Sequence, residues 1–133
     1  MSWIRLIAAA CLLGVLSACA SEPMRELQAR LQNLFEDKGA QALSTGIRQY
    51  DDGNYTESLK SLQSAVDLGL SSKGDKIKAH KYMAFIHCVS GRERQCRDEF
   101  RKGLDVDPDM QLEPAEAGHP IWGPLFRTAK ARR

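Results

Sequence analysis

The sequence has almost no excess of charge of one sign. Lys and Arg number 19 against 17 Asp and Glu, a formal net charge of +2. Bulk charge therefore gives no argument for a nucleic-acid partner. Five prolines and ten glycines in 133 residues exclude a collagen-like or low-complexity chain. The length fits one small domain and not two. No segment carries the period-2 apolar alternation of a strand, and Asp52-Gly53 leads into a helical pattern rather than a second strand. The apolar run Leu6–Leu16 is too short to span a bilayer. There is no nucleophile motif, no phosphate loop and no His-Glu-x-x-His, and carboxylates such as Glu57 and Asp67 lack a partnered spacing for acid–base work. These absences point away from an enzyme, a cofactor and a small-molecule substrate.

What is present begins at the N-terminus. Ser2–Arg5 carries one positive charge, Leu6–Leu16 is a signal-length apolar core, and Leu16-Ser17-Ala18-Cys19 follows directly. This order resembles the bacterial lipobox. The resemblance implies a signal peptide over residues 1–18 and acylation of Cys19, palmitate included. Ala20 stands where an Asp commonly retains lipoproteins at the inner membrane, so it implies an outer-membrane anchor with the domain facing the periplasm. Each buried CH₂ contributes about 0.8 kcal/mol, so several chains anchor stably. An ordinary secretory signal cut near Ala18 or Ala20 is the alternative.

The rest reads as helix. Met24, Leu27, Leu31, Leu34 and Phe35 make one apolar stripe over Glu22–Lys38, with Pro23 in the first turn and Gly39 as the stop. Residues 19–39 thus read as a tether and an N-terminal helix, which either packs on the domain or binds a partner. Ala40–Tyr50 and Tyr55–Leu68 form a helix pair around Gly53. Lys76–Cys88 and Glu93–Val106 form a second pair around Gly91.

In the second pair Ala84, Gly91, Cys96, Phe100, Gly103 and Pro108 fall at the small, turn, small, aromatic, small and closing positions of the tetratricopeptide pattern, a repeat of roughly 34 residues. Small residues let the two helices approach, and the aromatic fills the space between them. In the first pair Gly46, Gly53, Tyr55, Ser58, Leu62 and Ala65 fall at equivalent places, but Leu70 stands where the Pro is expected. The chain therefore resembles an all-α fold with two tetratricopeptide-like repeats over residues 40–108. About three stacked units are usually needed for a continuous core, so the N-terminal helix and residues 109–133 are expected to act as caps. That C-terminal segment carries Pro114, Pro120, Pro124 and Trp122, with a short helix expected over Leu125–Ala131.

The lipobox, the hairpins and the ending His119-Pro120-Ile121-Trp122-Gly123-Pro124-Leu125-Phe126 together resemble small lipoproteins associated with type VI secretion. That resemblance implies an accessory role in an envelope secretion complex, with a protein partner, a lipid-anchored membrane contact and no nucleic acid. A pilus or other envelope-assembly lipoprotein, or a peptidoglycan-associated structural one, is the alternative.

Cys88 and Cys96 flank the second turn. In an oxidising compartment they read as a structural disulfide, which contributes about 2.5 kcal/mol on the chain-entropy estimate. His80 and His87 share a helix face, but no ligand pair has a usual zinc spacing, so no metal is expected. Arg92, Arg94, Arg97, Arg101 and Lys102 alternate with Glu93, Asp98 and Glu99, as on a solvated helix face. Repeats of this kind bind partners on a concave surface lined by the first helix of each hairpin. The candidates for that surface are Gln49, Tyr50, His80, Tyr82, Met83 and His87, with Trp122 as an aromatic lip.

Overall fold

A computed structural model describes residues 22–132. The signal segment, the lipobox and Cys19 lie outside the described residues. Six helices follow in order, and no strand occurs among the described residues: α1 (Glu22–Asp51), α2 (Tyr55–Leu68), α3 (Lys73–Val89), α4 (Glu93–Val106), α5 (Pro114–Ala117) and α6 (Trp122–Ala131). None of these helices is long and apolar enough to cross a membrane. The chain divides into two compact units, one ending at Leu34 and the other beginning at Phe35. In the first unit the apolar stripe is open to solvent: Met24, Leu27, Leu31 and Leu34 are 58, 52, 47 and 51% exposed.

The second unit holds the core. Where the sequence pattern predicts two helices parted at Gly39, a single α1 runs through it. Gly39 does not stop the helix; it is buried, and a Cβ there would run into the carbonyl oxygen of Gly69. Its missing side chain serves a close approach. Gly46 serves another: a Cβ would meet Leu62 Cγ at 2.7 Å, and the buried Ser58 hydroxyl donates to the Gly46 carbonyl at 2.7 Å. The turns at Gly53 and Gly91 need the left-handed backbone, with φ of 77° and 72°, which glycine adopts without the Cβ penalty.

α3 starts earlier than its apolar pattern predicts, because Ser72 caps it and accepts from the Asp75 N–H. Two apolar clusters result. Leu43, Leu62, Ala65, Met83 and Ile86 close α1 and α2 onto α3. Phe85, Cys96, Phe100, Leu104 and Phe126 close α3, α4 and α6 together. Cys88 and Cys96 are joined across the second turn, with Cα atoms 5.1 Å apart. The architecture is all-α, built of tetratricopeptide-like hairpins.

α6 starts at Trp122, earlier than the Leu125 start its prolines predict, with Pro124 tolerated in its first turn. A Cβ at Gly123 would collide with the Ala117 carbonyl, so α5 and α6 meet through a glycine as well.

Candidate protein-binding face

The face made by the first helices of the two hairpins carries a run of aromatic rings. Tyr50 lies 5.0 Å from Tyr82, edge-on, and 5.5 Å from Tyr55. Tyr82 lies 6.0 Å from Phe85, and Phe85 stacks on Trp122 at 4.4 Å. Trp122 in turn stacks on His119, and its indole N–H donates to the Glu116 carbonyl at 2.9 Å. Such pairs contribute about 0.5–1.5 kcal/mol each beyond area burial and make a rigid wall. Burial pushes the Tyr50 phenol up to about 12 and raises Tyr82 as well, so both remain neutral hydrogen-bonding groups at physiological pH.

One lysine edges the wall. Lys81 Nζ sits 5.7 Å from the Tyr82 ring and 5.8 Å from the Phe85 ring. It also donates to both oxygens of Glu116, at 2.7 and 3.0 Å, and so ties the C-terminal segment to α3. Glu116 is fixed from its own side by the Glu113 backbone N–H at 2.9 Å. Nearby, Ala40, Leu43, Ser44, Ile47, Asp75 and Lys78 line an open cavity of about 260 Å³. Lys78, Lys81, Tyr82 and Phe85 fall at three- and four-residue spacing on α3, so they share a face.

The predicted residues divide between this face and others. Tyr50, Tyr82 and Trp122 belong to it. Gln49 does not: its side-chain oxygen accepts from Ser61 on α2 at 2.7 Å. Met83 is 3% exposed and part of the core. His80 Nδ1 lies 2.8 Å from Glu99 on α4, with both side chains mostly covered. His87 accepts from Arg92 Nε at 2.9 Å. Met83, His87 and Glu99 line a different cavity of about 680 Å³ against Leu59, Gln63 and Asp67 of α2. The reason is register. Ala84 packs in one cluster with Cys96 and Phe100 of α4, and positions 80, 87 and 88 share its stripe. Lys78, Lys81 and Tyr82 then fall on the outer side of α3, with Phe85 buried beneath them. Nothing local in the sequence distinguishes Glu99 and Glu116, because each carboxylate is held across the fold, by His80 and Lys81 respectively.

Glu99 and His87 respond to acid in the same direction. Burial would raise the Glu99 carboxyl, but hydrogen bonds from His80 and Lys102 and the Lys102 charge outweigh it and hold the carboxyl below its ordinary 4.5. Burial and Arg92 hold His87 below its ordinary 6.5. Both groups bind protons more readily unfolded, so their contributions are complete at neutral pH. They are lost as pH falls below 6.5 for His87 and below 4.5 for Glu99. Urea titrations at about pH 7.5, 5.5 and 4 are expected to show two successive losses of stability. His87→Gln is expected to flatten the first alone.

No group of three or more potential metal ligands gathers among the described residues. Three of the basic residues of α4 are engaged locally: Arg97 with Glu93, Arg101 with Asp98 and Lys102 with Glu99.

No family model matches this chain. No solved structure matches it either. Over 65 residues it is 31% identical to the Photosystem I assembly protein Ycf3 of Synechococcus sp. (strain CC9605), a match covering 49% of this chain and 37% of that protein. The chain thus aligns with well under half of that relative's length.

Proposed function

We propose that this chain is a protein-interaction scaffold that binds a partner segment on the face of α1 and α3. The observation that carries this reading is the half-buried aromatic wall of Tyr50, Tyr82 and Trp122, backed by the core ring of Phe85 and edged by Lys81, with an open cavity on the same two helices. Aromatic residues are enriched among the anchors of protein interfaces, where they supply large contact area at low entropic cost. The similarity to a protein named for assembly supports the same class.

The finer reading is a lipid anchor at Cys19, an outer-membrane position facing the periplasm, and an accessory role in type VI secretion. It is supported by the lipobox-like Leu16-Ser17-Ala18-Cys19 and by the ending from His119 to Phe126. Cys19→Ser is expected to move the chain from the membrane to the soluble fraction and to abolish palmitate labelling. Unchanged membrane retention and labelling would contradict the anchor. Capture of a stoichiometric partner from the envelope, lost on altering the α1/α3 face, tests the scaffold itself.

A further inference from the structure

The cleft between α4 and α6 carries a concentration of positive charge that the α1/α3 face does not use. It has a volume of about 510 Å³ and is lined by Arg94, Arg97 and Arg101 of α4 and by Arg132, just past the end of α6. Asp98 is the one carboxylate among its lining residues. The whole chain carries a formal net charge of only +2, so four arginines against one aspartate is a local surplus and not a share of a general one. The α4 arginines stand at three- and four-residue steps and share one face of the helix. Like charges at that spacing disfavour a helix, and local carboxylates relieve only part of the repulsion: Glu93 lies 3.5 Å from Arg97, and Asp98 pairs with Arg101. Among the described residues, Arg94 and Arg132 pair with no carboxylate, and both are exposed.

The concavity is built into the packing. Phe100 of α4 and Phe126 of α6 meet edge-on at 5.2 Å, and Lys130 donates to the Met110 carbonyl at 3.0 Å, so α6 is held in place beside α4. Ala129 lines the cleft at 2% exposure, and its single methyl leaves open the space that a larger side chain would fill. The Thr128 hydroxyl donates to the Pro124 carbonyl at 3.0 Å, so the arginines supply the donors that remain. We propose that this cleft binds an acidic segment of a protein partner, through carboxylates spaced along that segment.

The layout of the cations selects that occupant. Arg94 and Arg101 are two helical turns apart, about 10 Å along the axis at 1.5 Å per residue. Charges spread over that length match successive carboxylates of a peptide, each met by a planar guanidinium that can bond both oxygens. A single phosphate would need the cations to converge on one point. A nucleic acid has the same spread of charge, but no aromatic ring lines the cleft for a base to stack on, and Asp98 stands among the cations. The cleft shares no residue with the α1/α3 face, so either site can fail without the other.

The experiment is fluorescence polarisation of a labelled poly-L-glutamate peptide with the purified full chain. A peptide of about ten residues, at about 3.3 Å per residue, reaches past all four arginines. Binding is expected at about 20 mM salt and is expected to be largely lost at about 0.5 M, where exposed charges are screened. Arg94→Gln with Arg132→Gln is expected to weaken binding about tenfold, and each change alone should give part of that loss. Both positions are exposed, so these variants should melt close to the unaltered chain. Arg48→Gln with Lys60→Gln removes the same charge from exposed positions on α1 and α2 and should bind within about twofold of the unaltered chain. No binding at the lower salt, or equal losses in the two double variants, overturns the proposal. Tighter binding of an oligothymidylate of equal charge, or of anionic phospholipid vesicles, with the same dependence on Arg94 and Arg132, overturns it as well and assigns the cleft to phosphate groups.

Discussion

Phe100→Ala is expected to cost about 3–5 kcal/mol of stability, the largest loss from any single truncation considered. Phe100 is fully buried. Its ring meets Phe85 of α3 at 6.1 Å and Phe126 of α6 at 5.2 Å, both edge-on. One side chain therefore joins the second hairpin to the C-terminal helix, and its removal leaves a cavity bounded by three helices. A domain of this size is stable by about 5–15 kcal/mol, so the loss is a large share of the total. At roughly 4–8 °C per kcal/mol, the melting temperature should fall by at least about 12 °C. Thermal denaturation followed by far-ultraviolet circular dichroism measures it. A fall of less than about 4 °C would mean that Phe100 does not link the two elements. Tyr55→Ala is the comparison, because Tyr55 is 39% exposed and touches the wall only at its edge. Its loss should be small.

Phe100 was also among the residues most easily read from the sequence. Its place four residues after Cys96 and three before Gly103 marked it as the ring that fills a space between closely approaching helices. The turns at Gly53 and Gly91, and the bounds of α2 and α4, were legible for similar reasons: glycine at a left-handed turn and apolar spacing each have one local cause. Gly39 reads as a helix stop in the sequence, yet glycine has two uses. It can end a helix or let another backbone approach, and only the tertiary position of Gly69 decides between them. The proposed face is partly legible. Tyr50, Tyr82 and Trp122 read as aromatic residues at helical or loop positions, and in the structure their rings join one wall through Phe85. His80, Met83 and His87 lie away from that wall: His80 pairs with Glu99, His87 accepts from Arg92, and Met83 is core. The Lys81–Glu116 pair joins residues 35 apart in sequence, and no periodicity reports a contact of that kind.

Reversing the polar edge of the binding face is expected to abolish partner capture while leaving the fold intact. Ser44 is exposed, and the Lys78 side chain is 58% exposed, with its nearest carboxylate, Asp75, at 3.8 Å. An exposed pair of that kind contributes little, and surface substitutions usually change stability by within about 0.5 kcal/mol. Ser44→Arg together with Lys78→Glu therefore fills and recharges the cavity without touching the core. Lys60→Glu with Gln63→Arg does the same at the larger cavity between α2 and α3, on residues that leave the aromatic wall untouched. Both double variants should melt close to the unaltered chain.

The most direct test is quantitative capture of a protein partner by these two double variants and the unaltered chain, each checked for folding by its melting curve. The account predicts that Ser44→Arg/Lys78→Glu loses the partner and Lys60→Glu/Gln63→Arg retains it. Retention by the first variant, or loss by the second alone, would contradict a binding face on α1 and α3.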